Sequence, residues 1–150
     1  SQITVRPRMP SYEVFIDIQA PPDLIWPVLS DVVAWPDWLP TVTSVQPLQG
    51  RSLELGSRYT VKQPKLRPAT WVVTELVPLQ RFTWQAQSPG LLMVAEHSVE
   101  VNSATSSRAW LRFSFTGLLG APFSWLYRSI TKNYLAQEAT SLQRKVEGKA

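Results

Sequence analysis

Residues 91–117, LLMVAEHSVEVNSATSSRAWLRFSFTG, contain two segments in which apolar and polar side chains alternate. Alternation at a period of two is typical of β-strands that bury one face. The polar residues 102–107 lie between the segments, and a connection this short makes the two strands antiparallel neighbours. We therefore expect a long hairpin with strands over residues 91–102 and 107–117.

The same pattern continues upstream in shorter segments. Turn-forming residues separate these segments, as is typical between strands. They are Gly50, the two prolines within residues 64–68, Pro78, and the proline and glycine within residues 88–90. Each connection is short, so the pattern predicts an antiparallel meander. With the hairpin, seven strands are predicted, the other five over residues 12–18, 41–49, 55–63, 69–77 and 80–87.

Helices are predicted at two places. Pro22 suits the first turn of a short helix, and a second short helix over residues 32–38 is limited by Pro36 and Pro40. After Pro122 there is no further proline or glycine until Gly148, and apolar residues recur at spacings of three, four and seven. That spacing predicts one long amphipathic C-terminal helix.

Composition places the chain among single-domain globular proteins. It has 150 residues, of which 44% are hydrophobic and 17% charged, so we expect one globular domain over 1–150 with its ordered part over roughly 10–147. The absence of cysteine excludes disulfides and thiolate metal sites. His97 is the single histidine, and the six glycines are separate, so we expect no metal and no cofactor.

The charge pattern bears on location and partners. The apolar runs are far shorter than a membrane span, and Arg6 and Arg8 precede no hydrophobic block, so we expect a cytoplasmic protein without an integral membrane segment. The net charge is +4. The basic residues are scattered along the chain, whereas binding of nucleic acid requires a clustered basic face, so we expect no nucleic acid partner. We expect a monomer or weak dimer. One basic cluster stands out, either as a solvated hairpin or as a contact for phosphate or acidic lipid: Arg58, Lys62, Lys65 and Arg67.

A sheet curled around one helix leaves a space between them, and side-chain parity predicts what lines it. Seven tryptophans are more than a small solid core accommodates easily, and a cavity lined by some of them accounts for the excess. We expect Trp38 and Leu39 at the mouth of this space. The candidate ligand-binding residues are Trp38, Leu39, Tyr59, Trp71, Trp84, His97, Phe113, Phe115, Leu126, Ile130, Asn133 and Tyr134.

His97 shares strand parity with Met93, Ala95 and Val99, which predicts the concave, apolar face. There its pKa would fall, and the neutral imidazole could exchange one hydrogen bond with a ligand carbonyl or hydroxyl. Three interpretations stay open: a core histidine bonded to a neighbour, a ligand contact, or a general acid or base. No catalytic residue is predicted unless the protein is an enzyme, in which case it is His97.

The strand pattern predicts no carboxylate beside His97 on the inner face. Asp17, Glu54, Glu96 and Glu100 fall on faces expected to meet water, while Glu75 has inward parity and would need a bulge to turn outward. The sequence thus predicts no inward pair of acids, and this absence counts against an enzyme.

Five segments along the chain carry a family resemblance. They are IDIQAPP at 16–22 with IW at 25–26, LSD at 29–31 and WPDW at 35–38; VTE at 73–75 ahead of Pro78; His97 within a strand; FTG at 115–117; and NYLA at 133–136 continuing to Leu142. In this order the chain resembles the polyketide cyclase/dehydrase group of the START-like helix-grip superfamily. That superfamily also includes lipid-transfer START domains and birch-pollen-allergen-like proteins.

The resemblance implies an α+β helix-grip fold. This is a seven-stranded antiparallel sheet curled around a long C-terminal helix, with two short helices between strands 1 and 2. The fold carries lipid carriers, hormone receptors, co-chaperones and enzymes alike, so it leaves the function open.

Three hypotheses follow from the residues and the resemblance together. The first is binding or transport of a small hydrophobic ligand, such as a lipid, quinone or polyketide-like aromatic, with His97, Tyr59 and Tyr134 orienting its polar group. The second is a polyketide cyclase or dehydratase-like enzyme that uses His97 for proton transfer. The third is a coenzyme-Q-binding-like or protein-partner-binding module whose basic hairpin makes a peripheral membrane or partner contact.

Overall fold

The computed structural model describes residues 10–148; residues 1–9, with the arginines considered above, and 149–150 lie outside that range. Each strand from β2 to β6 pairs with the next one along the chain, and β1 pairs with β7, so one antiparallel sheet has the order β1-β7-β6-β5-β4-β3-β2. The predicted seven-stranded meander is confirmed. Its strands are β1 (Ser11–Ile18), β2 (Ser44–Pro47), β3 (Arg58–Lys62), β4 (Ala69–Val77), β5 (Arg81–Ser88), β6 (Leu91–Ser103) and β7 (Ser106–Thr116).

Strands β2 and β3 are shorter than predicted. The segment before β2 is a turn, because the Val42 N–H donates to the Leu39 carbonyl oxygen at 3.1 Å. After Pro47 the chain leaves the sheet, and Gly56 at φ +85° re-aims it into β3. Pro47 suits this position because β2 is an edge strand, where a missing N–H leaves no partner unsatisfied.

The N-terminal helices agree closely with the sequence. Helix α1 covers Pro22–Ser30, and a 3-10 helix covers Val32–Asp37. Proline occupies one of the first two positions of α1, where its missing N–H costs nothing.

The predicted single C-terminal helix is wrong in one respect, because it divides into α2 (Gly120–Leu126) and α3 (Arg128–Glu147) at Tyr127. Tyr127 has φ −99° and ψ 15°, outside helical values. The break frees the carbonyl of Trp125, and Arg128 donates to that oxygen at 2.7 Å. Within residues 10–148, no helix is long and apolar enough to cross a membrane.

The hydrophobic core fills one end of the sheet's inner face. Ile25 and Leu29 of α1 pack with Trp35, Phe82 and their neighbours, and all four are almost fully buried. The indole N–H of Trp35 donates to the Leu29 carbonyl oxygen at 3.0 Å, so this polar group is satisfied within the core. Burial of each large side chain contributes roughly 1.5–3 kcal/mol to stability. The other end of the inner face is not filled in this way.

Candidate ligand-binding site

A cavity of about 600 Å³ lies between the unfilled end of the sheet and helices α2 and α3. Side chains of alternating strand positions, among them Met93, Leu111 and Phe113, form the sheet wall, and Phe123 and Ile130 belong to the helix wall. Known small-molecule sites range over roughly 300–1,000 Å³ and are mostly apolar. The cavity therefore has the size and the wall of a ligand site.

Three connections surround the mouth of the cavity: residues 64–68 between β3 and β4, 88–90 between β5 and β6, and 117–119 between β7 and α2. Hydrogen bonds join them to their neighbours. The Tyr134 hydroxyl of α3 donates to the Pro64 carbonyl oxygen, and the Leu119 N–H donates to the Gly90 carbonyl oxygen at 2.8 Å. Each of these two contacts at the mouth consists of one hydrogen bond.

His97 lies on the inner face, as predicted, and is only 3% exposed. Its ring stacks on the ring of Phe82, with centroids 4.2 Å apart, and its Nδ1 atom lies 3.2 Å from the Phe82 carbonyl oxygen. Burial lowers the pKa of His97 to about 4. The neutral ring donates Nδ1–H to that carbonyl, which leaves the Nε2 lone pair free as a proton acceptor.

Glu138 of α3 faces His97. Its Oε2 atom lies 3.6 Å from His97 Nε2, and burial raises the pKa of Glu138 to about 7. Although this distance would suit an ion pair, burial shifts both groups towards their neutral forms. We therefore describe the pair as a neutral imidazole beside a carboxyl group that keeps its proton up to about pH 7.

The expectation that no acid faces inward is wrong at Glu138. A helical signal was present, since Glu138 lies three residues after Leu135 and four before Leu142, both of which are buried on the inner side of α3. Side-chain parity applies to strands only, and a helix face defined by apolar residues alone leaves Glu138 out. A carboxyl group on that face could have been identified by the same spacing.

The pair gives the deep end of an apolar cavity one proton acceptor and one proton donor. A ligand carbonyl or hydroxyl reaching this end can hydrogen-bond to either group. The same two groups can also take a proton from one atom and give a proton to another. Glu75 does not take part, because a bulge between Val73 and Glu75 turns it outward, where it pairs with Arg81 at 3.1 Å.

Seven of the twelve predicted site residues line the cavity. Tyr134 is among them, although its hydroxyl bonds to Pro64 and is not free to orient a ligand. Phe82, which is not among the twelve, stacks on His97. The seven are Trp71, Trp84, His97, Phe113, Phe115, Ile130 and Tyr134.

The other five lie outside the cavity wall. Leu39 is buried in the core and Trp38 packs at its edge against Trp35, so neither is at the mouth. Tyr59 points inward but its hydroxyl donates to the Ser52 carbonyl oxygen at 3.0 Å. Leu126 and Asn133 are exposed on the outer sides of α2 and α3.

No side-chain set in the described residues is suited to a metal, since no group of three or more histidine, cysteine, aspartate or glutamate side chains comes together there. The polar groups of the cavity are suited instead to hydrogen bonding and proton transfer.

Several solved structures share the fold at low sequence identity. The Zhui aromatase/cyclase of a Streptomyces is 18% identical, with 93% of this chain and 94% of that one covered and a TM-score of 0.76. A norcoclaurine synthase of Thalictrum is 14% identical, covers 98% of both chains and has a TM-score of 0.75. A START superfamily protein of Mycobacterium smegmatis is 17% identical over 92% and 97%, with a TM-score of 0.70.

No curated protein matches the chain. The model of one family, described as polyketide cyclase/dehydrase and lipid transport, matches residues 9–147. This match covers nearly the whole sequence and includes every element of the sheet and the helices. The chain therefore belongs to the polyketide cyclase/dehydrase and lipid transport family.

Proposed function

We propose that this protein binds a small hydrophobic ligand with an aromatic or fused ring system, held in the cavity with its polar group towards His97 and Glu138. One observation carries the proposal: an apolar cavity of about 600 Å³ that ends at a pair of neutral polar side chains. Membership of a family that includes lipid transport is consistent with it.

Aromatic side chains give the wall a preference for flat ligands. The rings of Trp71 and Trp84 lie 5.7 Å apart, and those of Trp71 and Phe113 lie 5.9 Å apart. A bound ring extends this array and gains roughly 0.5–1.5 kcal/mol for each aromatic contact beyond burial. Burial itself contributes roughly 25 cal/mol per Å² of apolar surface.

The carbonyl or hydroxyl of the ligand meets the two polar groups at the deep end. A ligand hydroxyl donates to His97 Nε2, and a ligand carbonyl accepts from the protonated carboxyl of Glu138. A ligand without such a group leaves both buried groups without a partner, which costs roughly 1–3 kcal/mol. We therefore expect ring compounds with a carbonyl or hydroxyl to bind more tightly than plain hydrocarbons.

Native mass spectrometry of freshly purified protein tests the proposal first. An adduct that disappears on denaturation identifies a bound ligand by its mass. Titration of tryptophan fluorescence with quinones, flavonoid-like rings and fatty acids then measures affinity. We expect Phe113→Ala to weaken ring binding about tenfold, whereas Phe15→Ala, on the outer face, leaves it unchanged. A clean mass together with no fluorescence response to any of these probes would overturn the proposal.

The His97–Glu138 pair favours a second candidate, an enzyme that removes water from a β-hydroxy carbonyl compound. His97 Nε2 takes the proton from the carbon beside the carbonyl, and the electron pair of that C–H bond forms a C=C bond. The C–O bond breaks as Glu138 protonates the departing hydroxyl, which leaves as water. Transfer of the proton from His97 to Glu138, across the 3.6 Å between them, restores both groups.

Turnover separates the two candidates. A β-hydroxy ketone attached to an aromatic ring gains conjugation on dehydration, so absorbance follows the reaction. An enzyme loses turnover in both His97→Gln and Glu138→Gln, while a binding protein shows no turnover and only a change in affinity.

A further inference from the structure

We propose that the mouth of the cavity docks on a bilayer containing anionic lipid, with α2 and the connection before it touching the membrane. Four large apolar side chains are exposed there within ten residues of sequence, and basic side chains stand around the same opening. This inference goes beyond the proposed function, and it does not depend on which ligand the cavity holds.

The apolar part of this surface comes from residues 118–126. Leu118 is 94% exposed, Trp125 66% and Leu126 62%, and Leu119 is exposed as well. Helix α2 turns Phe123 and Ser124 towards the protein and leaves Trp125 and Leu126 on the outer side. Exposed tryptophan and leucine beside basic residues are typical of surfaces that bind the membrane interface.

The basic part of the surface comes from three elements. Lys65 and Arg67 lie in the connection that forms one side of the mouth and are exposed. Arg128 follows α2, with its guanidinium 4.5 Å from the centre of the Trp125 ring. Residues 63–68, 87–91 and 117–128, which form this end of the molecule, contain no aspartate or glutamate. The complement to such a surface is negative charge spread over an apolar layer.

The topology places these elements at one end of the sheet. Strand β3 ends and β4 begins there, and so do β5 and β6, while β7 ends there ahead of α2. The Tyr134–Pro64 and Leu119–Gly90 hydrogen bonds hold the basic connection and the apolar segment around the same opening. A docked molecule therefore has its cavity open towards the lipid, so that a hydrophobic ligand moves between bilayer and cavity without crossing water.

The opposite end of the molecule supplies matched controls. Leu55 and Val101 are 69% and 65% exposed, about as much as Trp125 and Leu126, but Leu55 lies in the connection before β3 and Val101 near the end of β6, at the other end of the sheet. Arg144 and Lys145 lie in the last turn of α3, also far from the mouth. These residues match the mouth residues in chemistry and exposure and differ in position.

Vesicle co-sedimentation of the full chain tests the inference. We expect binding to vesicles of phosphatidylcholine with phosphatidylserine, and little binding to phosphatidylcholine alone. Lys65→Glu with Arg67→Glu weakens binding at least about tenfold, and Leu118→Ser with Trp125→Ser does so as well. Leu55→Ser with Val101→Ser, and Arg144→Glu with Lys145→Glu, leave it within about twofold. Circular dichroism and urea unfolding verify that each variant remains folded.

Three outcomes would overturn the inference. One is that the protein sediments neither with vesicles that contain phosphatidylserine nor with vesicles of phosphatidylcholine alone. Another is a loss caused by the charge changes but not by Leu118→Ser with Trp125→Ser, which shows that the basic residues adsorb to lipid charge while the apolar residues do not touch the bilayer. The third is a dimer in native mass spectrometry that Leu118→Ser abolishes, which identifies a second copy of this chain as the occupant of the surface.

Discussion

His97 Nε2 and Glu138 Oε2 lie 3.6 Å apart, although one residue belongs to the sheet and the other to the helix that covers it. Burial acts on both in the direction of neutrality, lowering the pKa of His97 to about 4 and raising that of Glu138 to about 7. Between these values the imidazole accepts a proton and the carboxyl group donates one. The pair is formed by tertiary packing alone, since 41 residues of sequence separate its members.

If the cavity performs dehydration, its rate depends on pH through this pair. The base form of His97 is present above about pH 4, and the acid form of Glu138 is present below about pH 7. A plot of kcat/KM against pH therefore rises near 4 and falls near 7. Glu138→Gln removes the falling limb and lowers the rate by roughly 10²–10⁴. An unchanged profile in this variant would exclude Glu138 as the acid.

Stability also depends on the pair, with opposite signs for its two members. In the unfolded chain His97 takes up a proton below its ordinary pKa of 6.5, but in the folded protein it stays neutral until about pH 4. The free energy of unfolding therefore decreases as the pH falls from 6.5 to 4. Unfolded chains ionise Glu138 above 4.5, but the folded protein keeps the proton until about 7, so stability is lost as pH rises from 4.5 to 7.

Glu138→Gln separates these contributions. It removes the loss at higher pH, so relative to the natural protein the variant gains stability from pH 4.5 to 7, on the order of 1 kcal/mol per pH unit. Urea unfolding at several pH values measures the difference. Two parallel curves would show that the Glu138 carboxyl has an ordinary pKa.

The hydrogen bond from the Tyr134 hydroxyl to the Pro64 carbonyl oxygen joins α3 to one side of the mouth. Tyr134→Phe removes it while keeping the ring in the wall, and one such bond contributes about 1 kcal/mol. We expect ligand dissociation to accelerate up to about tenfold, as measured by stopped-flow tryptophan fluorescence. Tyr59→Phe removes a hydroxyl bonded within the far end of the fold and should leave the exchange rate unchanged.

Gly117 connects β7 to the segment that leads into α2. Its φ is +91°, and a Cβ atom there would lie 2.7 Å from the Gly90 carbonyl oxygen. Gly117→Ala should therefore destabilise the protein by roughly 1–3 kcal/mol, measured as a lower urea midpoint. Gly50→Ala is the matched control, because nothing lies within 4 Å of its added methyl group and its φ is not positive. Equal stability of the two variants would contradict this explanation.

The strand pattern was sufficient to predict the sheet, because alternation and short connections are local signals. Strands β4 to β7 agree with the predicted bounds within one residue at each end. The bounds of β2 and β3 were less accurate, because residues 41–43 form a turn and bend ahead of β2 and residues 48–57 form an irregular connection between the two strands. The break at Tyr127 carries no proline or glycine and was not predictable from those residues.

The candidate site was harder to predict than the sheet. Parity placed His97, Trp71 and Phe113 on the inner face, but it did not show where the core ends and the cavity begins. That boundary is set by tertiary packing, and Leu39 lies on the core side of it. Glu138 is missing from the predicted site because a helix face drawn from apolar residues alone leaves it out, although its spacing from Leu135 and Leu142 places it on the inner side.

Among the strands of residues 10–148, β1 pairs with β7 alone. Asp17 and Arg108, which join these two strands by a hydrogen bond of 2.9 Å, are 91 positions apart, whereas the other paired strands are neighbours in sequence. During synthesis β1 leaves the ribosome long before its partner strand β7 has been made. Its apolar face stays exposed until the rest of the sheet has formed. The slowest step of folding is then expected to be the docking of the first strand that is made.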